Sequence, residues 1–218
     1  MAPNATGHPL VEVVYESLLE LHPDVDTDSG RFTLIEGGGN ERKTTGSYYT
    51  PTKLIDALLD SALEPVLDEA VKSPDPKEAI LNLKVCDPAC GSGNFLYVAL
   101  AKLKDLEKEV VAFGAANGLS QMLPRVVPTQ LYGLEINAYA RELTQAIVWI
   151  GYLQWMTANG FQVTRDPVLA PMETIRLQDA LLDRTDPAGP REAEWPRADF
   201  IIGNPPFLGG KRLRTELG

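Results

Sequence analysis

Near the end of the chain, Asn204-Pro205-Pro206-Phe207 combines residue types that could hold a planar nitrogen. Proline removes a backbone donor and fixes φ. The Asn204 side chain and the Pro205 carbonyl can therefore be held as two acceptors aimed at one point, with the Phe207 ring beside them as a stacking face. Such a tip suits a planar, amino-bearing substrate. The exocyclic amine of adenine is a poor nucleophile because its lone pair is drawn into the ring, and two acceptors on its hydrogens would localise that pair. A proline-stiffened turn is the plain alternative. It fits poorly directly after the apolar run Phe200-Ile201-Ile202.

A second group lies upstream, in Asp87-Pro88-Ala89-Cys90-Gly91-Ser92-Gly93-Asn94-Phe95. Gly91 and Gly93 allow close approach of backbone to a ligand. The third glycine of a dinucleotide fingerprint would fall at Leu96 and is missing, and no Gly-Lys-Ser/Thr follows, so neither that fingerprint nor a phosphate loop is present. Glu135-Ile136, at the end of another apolar stretch, offers a carboxylate that could accept both hydroxyls of a ribose; a solvated strand-end carboxylate is the bland reading. Asp179-Ala180 ends a third stretch, where the Asp could accept from an exocyclic amine or cap a helix. Tyr48-Tyr49-Thr50-Pro51 could wall one side of a pocket, or could simply cap a helix, with Thr50 as N-cap and Pro51 at the first helical position.

These groups need elements to position them. Leu83–Asp87, Leu131–Glu135, Glu173–Gln178 and Ala198–Gly203 read as strands. A helix through Phe95–Leu106 follows the first and another, capped by Asn137, the second; the uncharged half of the latter, Ala146–Leu153, is expected to be buried. Strands separated by helices imply parallel pairing with right-handed crossovers, hence a doubly wound α/β sheet. Upstream, residues 9–21 have helical spacing, Arg31–Glu36 alternates like a strand, and a helix runs from about residue 51 with Pro65 kinking it or opening a new turn. Residues 73–78 read as a polar linker, residues 158–172 and Asp183–Trp195 as loops. The interval between Asp87 and Glu135 exceeds the usual strand-to-acid spacing of about 20 residues, and the excess lies in Lys104–Gln130.

With 218 residues the chain can bury one good core. The first residues do not read as a secretory signal, and no apolar run reaches membrane-spanning length. Two cysteines without a Cys-x-x-Cys pair, and two histidines remote from the motifs, point away from a metal site and fit a reducing cytoplasm. The formal charge of −10 argues against this stretch alone clamping nucleic acid.

The Asp-Pro-x-x-Gly-x-Gly turn is similar to the S-adenosylmethionine turn of class I methyltransferases. With Gly-x-Tyr-Tyr-Thr-Pro upstream and Asn-Pro-Pro-Phe downstream, residues 40–218 resemble the adenine-N6 DNA methyltransferases whose cofactor motifs precede the catalytic motif. The wording Phe95-Leu-Tyr-Val-Ala, Trp149-Ile-Gly-Tyr-Leu-Gln-Trp and Asn204-Pro-Pro-Phe-Leu-Gly-Gly-Lys looks closest to the MmeI-like restriction–modification and phage-defence group. The resemblance implies a Rossmann-like domain over 46–218 behind an N-terminal helix and strand extension over 1–45. It implies S-adenosylmethionine as cofactor. Tyr49, Thr50 and Pro51 would lie at its methionine end, and Asp87, Pro88, Ala89, Gly91, Gly93, Asn94 and Phe95 would form its cradle. Glu135 and Ile136 would sit at the ribose, Asp179 and Ala180 at the adenine. Asn204, Pro205, Pro206 and Phe207 would form the catalytic tip, acting on an adenine flipped out of double-stranded DNA. Cys90 would be a packed small residue, not a nucleophile.

Such a domain has seven strands in order 3-2-1-4-5-7-6, and four are legible, supplying 3-2-1-4. The remaining strands and a DNA-recognition domain are thus expected beyond Gly218, and the fourth strand would be an uncovered edge open to self-association. Lys211, Arg212 and Arg214 would begin a phosphate-contacting loop or a solvated tail. Methyltransferases acting on RNA bases or on a glutamine side chain share the Asn-Pro-Pro-aromatic tip and stay open as alternatives, as does a cofactor- or partner-binding fragment without turnover.

Overall fold

A computed structural model describes residues 21–26, 31–36, 50–116, 125–162, 170–185, 187 and 189–206. The chain divides into two compact units, one of Met1–Tyr49 with Pro206–Gly218 and one of Thr50–Pro205.

In the first unit β1 (Leu21–Asp26) pairs antiparallel with β2 (Arg31–Glu36), from Leu21 opposite Glu36 to Asp26 opposite Arg31. The expected strand at 31–36 is present, while its partner was not expected. Leu21, read as the end of a helix, opens a strand instead; the rest of that helix lies outside the described residues. Pro23 and two aspartates hide β1 from propensity. A two-stranded ribbon tolerates them because each strand is an edge.

The second unit carries a four-stranded parallel sheet. Its strands are β3 (Val85–Asp87), β4 (Leu131–Glu135), β5 (Ile175–Leu177) and β8 (Phe200–Ile201), in the spatial order β5-β4-β3-β8. This is the expected 3-2-1-4 order of a Rossmann-like α/β sheet. Central β3 is buried throughout, whereas the edge strands leave Leu177 and Ile201 exposed. The register sets the site. Asp87 lies opposite Gly133, Glu135 opposite Leu177, and Cys86 opposite Ile201, so the carboxyl ends of all four strands share one edge. Asp199 fixes the start of β8: its carboxylate accepts from the Lys84 N–H at 2.7 Å, and its own N–H donates to the Lys84 carbonyl at 2.9 Å.

Helices cover the sheet. α1 (Thr52–Lys72) buries Ile55, Leu59 and Leu63 and runs through Pro65 unbroken. Loss of one backbone bond at Pro65 is outweighed by that packed face. Its cap is Pro51, one residue later than expected. A side-chain cap followed by proline does occur, unexpectedly, inside the stretch read as a linker. There Asp75 accepts from the Glu78 N–H at 3.0 Å and Pro76 opens α2 (Pro76–Leu81). α3 (Asn94–Ala116) follows β3. α4 (Ala138–Ala158) follows β4, capped as expected by Asn137, whose oxygen accepts from the Tyr139 and Ala140 N–H groups. The uncharged half of α4 is buried only along one stripe: Ile147 and Val148 are buried, but Ile150 is 46% exposed. At the stretch Asp183–Trp195, read as loop, β6 (Leu182–Asp183) and β7 (Arg191–Glu192) form a short antiparallel pair.

The long interval Lys104–Gln130 is tied down from within. Lys104 is fully buried, its Nζ 2.6 Å from Glu107 Oε2, 3.3 Å from the Val126 carbonyl and 4.4 Å from the Trp155 ring centre. Glu107 Oε1 accepts from the backbone N–H groups of Arg125 and Val126. Gln130 then donates to the carbonyls of Leu81 and Leu83 at 3.0 and 2.9 Å. The chain therefore returns to β4 at a set position, although the interval is long.

Candidate active site

The strand-end row brings together Asp87, the Gly91–Gly93 turn, Glu135, Asp179 and Asn204. Asp87 closes β3 at 1% exposure. Its Oδ1 accepts from the Ala89 N–H at 3.0 Å, while Oδ2 is buried with no hydrogen-bond partner. A buried carboxylate oxygen without a donor is costly. Burial pushes this carboxyl up to about 7; the Ala89 N–H opposes the rise and the charge of Glu135 adds to it.

The turn after Asp87 is held at several points. The Cys90 N–H donates to the Leu134 carbonyl at 3.1 Å, and the Gly93 N–H to the Cys90 carbonyl at 2.7 Å. Gly91 and Gly93 take φ of +54° and +87°, which glycine adopts freely. Around Gly91 a β-carbon would meet open space, whereas at Gly93 it would lie 2.8 Å from the Thr144 methyl carbon. Thr144, fully buried on α4, donates its hydroxyl to the Gly91 carbonyl at 2.7 Å. No sequence signal marks Thr144, because a single threonine on an amphipathic helix is ordinary.

Glu135 reaches back across the row. Its Oε2 accepts from the Gly91 N–H at 2.8 Å and its Oε1 from the Asn137 N–H at 2.8 Å. The turn and the second strand end are thereby one hydrogen-bonded unit. Next to Glu135, Ile136 is 73% exposed. Leu181, not singled out from sequence, is also 73% exposed, and lies just after Asp179-Ala180. Asp179 Oδ1 accepts from the Leu181 N–H at 2.8 Å, shaping a turn into β6 and capping no helix, and the Ala180 carbonyl accepts from Trp195 Nε1 at 2.6 Å.

Asn204 stands three residues past β8. Its Nδ2 donates to Thr50 Oγ1 at 3.1 Å, and the Thr50 carbonyl accepts from Asn94 Nδ2 at 2.9 Å. Thr50 itself is 6% exposed. Pro51 caps α1, Pro88 is half-buried in the turn, and Pro205 and Pro206 are exposed. Phe95 packs in the hydrophobic core. Cys90 is 5% exposed and burial pushes its thiol well above the ordinary range, which leaves no thiolate for nucleophilic work. Gly203, overlooked in the sequence, stands where a β-carbon would collide with Asp87 Oδ1. Tyr49 and Phe207 lie outside the described residues, as do Lys211, Arg212 and Arg214. Cavities of about 420 and 390 Å³ run along α4, the first lined by Arg141, Gln145 and Trp149, the second by Lys108, Trp155 and Phe161; neither includes Asp87, Glu135 or Asn204. Among the described residues no cluster of His, Cys, Asp and Glu could hold a metal, and no helix is long and apolar enough to cross a membrane.

Residues 66–217 match the family described as MmeI, DNA-methyltransferase domain. The chain is similar to DNA methyltransferase A of Bacillus subtilis (strain 168), 27% identical over 212 residues that cover 90% of this chain and 23% of that protein. It is also similar to a Methanocaldococcus jannaschii protein described as putative type II restriction enzyme and methyltransferase RM.MjaORFECS2P, 22% identical over 191 residues that cover 72% of this chain and 15% of that protein. A solved structure of the Type IIL restriction-modification enzyme MmeI in complex with DNA aligns with a TM-score of 0.45 and 24% identity, over 60% of this chain and 20% of that one. The chain thus spans less than a quarter of the length of the curated relatives it matches.

Proposed function

From the chain's membership of the MmeI DNA-methyltransferase domain family, we propose that it transfers a methyl group from S-adenosylmethionine to N6 of an adenine held outside the DNA duplex, in restriction–modification or phage defence. The observation that carries this reading is the placement of Asn204 on the same sheet edge as Asp87, Gly91 and Glu135, joined to the glycine turn through Thr50 and Asn94.

The residues fit the cofactor. The unpartnered Asp87 Oδ2 suits a positively charged group, and the open space over Gly91 admits a ligand against the backbone. Both oxygens of Glu135 already accept a backbone N–H, but each keeps a further lone pair. A ribose diol can therefore be accepted without rebuilding the turn. Ile136 and Leu181 present apolar surface at neighbouring strand ends, where an adenine ring would be flanked, with Asp179 and Ala180 beside it. When bound, S-adenosylmethionine supplies a methyl group on a positively charged sulfur.

The chain's own work is to hold and expose the amine. Asn204 Oδ1 and the Pro205 carbonyl accept its two hydrogens, which turns the nitrogen lone pair away from the ring system. Pro205 and Pro206 add no competing backbone donors, and the family resemblance gives Phe207 the role of stacking on the base. No covalent bond to the protein is needed; position and desolvation lower the barrier. Because N6 of a paired adenine is bonded to thymine and neighbouring bases cover both faces of its ring, the base is turned out of the stack. The formal charge of −10 agrees with a cationic DNA-binding surface outside this stretch, in the rest of the protein or on a partner.

The test is to offer the gene's full product labelled S-adenosylmethionine with duplex DNA, RNA and glutamine-bearing protein side by side. Label is expected in DNA alone. Label only in RNA or protein would move the same tip chemistry to another substrate.

A further inference from the structure

We propose that Thr50 is a positioning residue for methyl transfer, holding the Asn204 carboxamide in place with its oxygen free to face the target amine. This rests on the reading of Asn204 as the acceptor for that amine. A carboxamide has two nearly isosteric ends of opposite character, one accepting and one donating. With its oxygen outward, Asn204 can accept from an amino group; with its nitrogen outward, it meets that group donor to donor. In the structure Asn204 Nδ2 donates to Thr50 Oγ1 at 3.1 Å, which leaves Oδ1 for the substrate.

Thr50 is well suited to hold that orientation. It is 6% exposed, and β-branching restricts its χ1. The following Pro51 confines its backbone to extended conformations. Its carbonyl accepts from Asn94 Nδ2 at 2.9 Å, and Asn94 directly follows Gly93 at the start of α3. Asn94, Thr50 and Asn204 thus form a relay from the glycine turn to the tip, joining segments 154 residues apart. The sequence-based expectation for Thr50, a contact to the methionine end of the cofactor, differs from this in what it predicts. A cofactor contact acts on cofactor affinity. An orienting contact acts on the transfer rate.

Thr50→Val keeps the shape and removes the oxygen. In the gene's full product, single-turnover transfer to the substrate that wild type methylates is expected to fall about 100-fold, the scale of a small misplacement at a reacting centre. Calorimetric Kd for S-adenosylmethionine is expected to stay within about twofold, an effect under half a kcal/mol. Thr50→Ser, which restores the oxygen, should recover most of the rate. If valine is refused at this buried position, Thr50→Ala carries the same comparison. A rate within about threefold of wild type in either variant, or a loss confined to cofactor affinity, overturns the proposal. Wild-type protein that methylates RNA or protein instead changes the substrate, and the same rate ratio still applies. Wild-type protein that transfers to none of them overturns this inference together with the reading it rests on.

Discussion

A β-carbon on residue 203 would lie 2.4 Å from Asp87 Oδ1 and 3.1 Å from its Cγ. Gly203 thus leaves no room for a side chain between the backbone before Asn204 and the carboxylate that closes β3. Asp87 cannot yield easily, being 1% exposed and bonded to the Ala89 N–H. Gly203→Ala must push the tip away or strain the turn. The expected cost is about 1–3 kcal/mol of stability, as for other overpacked sites, with a transfer rate about 100-fold lower. Urea unfolding and single-turnover assays measure the two. An unchanged rate would mean that the contact does not position Asn204.

The Asp87 carboxyl gives a pH signature. Folding raises it from 3.8 to about 7, chiefly through burial. The folded chain therefore binds more protons than the unfolded chain between those values, and stability falls as pH rises from about 4 to about 7. Asp87→Asn keeps the acceptor for the Ala89 N–H and cannot ionise. Relative to wild type it is expected to gain thermal stability across that range and then level off, with Glu135 the neighbouring carboxylate common to both proteins. A difference that is flat from pH 4 to 8 would contradict a charge buried in this way.

The Lys104–Glu107 pair has side-chain exposures of 0% and 3%, so removing one partner strands a buried charge. Lys104→Met is expected to cost about 3–5 kcal/mol in urea unfolding, since Glu107 also anchors the N–H groups of Arg125 and Val126. A loss under about 1 kcal/mol would show that the pair is not what holds the return to β4.

Much of this was legible in the chain because the informative features were local. The strands at Val85–Asp87 and Leu131–Glu135 are short apolar runs bounded by turn residues, and their order follows from crossover handedness. The Asn137 cap was legible for the same reason. What escaped depends on partners distant in sequence. β1 is a strand only because β2 pairs with it. Lys104 reads as solvated until Glu107, Trp155 and Val126 enclose it. Thr50 was read from its neighbour Pro51 as a cap, but its partners are Asn94 and Asn204. Thr144 and Gly203 carry no motif, and matter through what a hydroxyl reaches and what a missing β-carbon permits.

The most direct test of the central claim is nucleoside analysis of DNA incubated with S-adenosylmethionine and either wild-type protein or Asn204→Ala. The expected result is N6-methyladenine from wild type and none above background from the variant, while the variant still binds S-adenosylmethionine within about threefold of wild type, well under 1 kcal/mol. N6-methyladenine formed equally by the variant, or a methyl group found on another atom, would contradict the account.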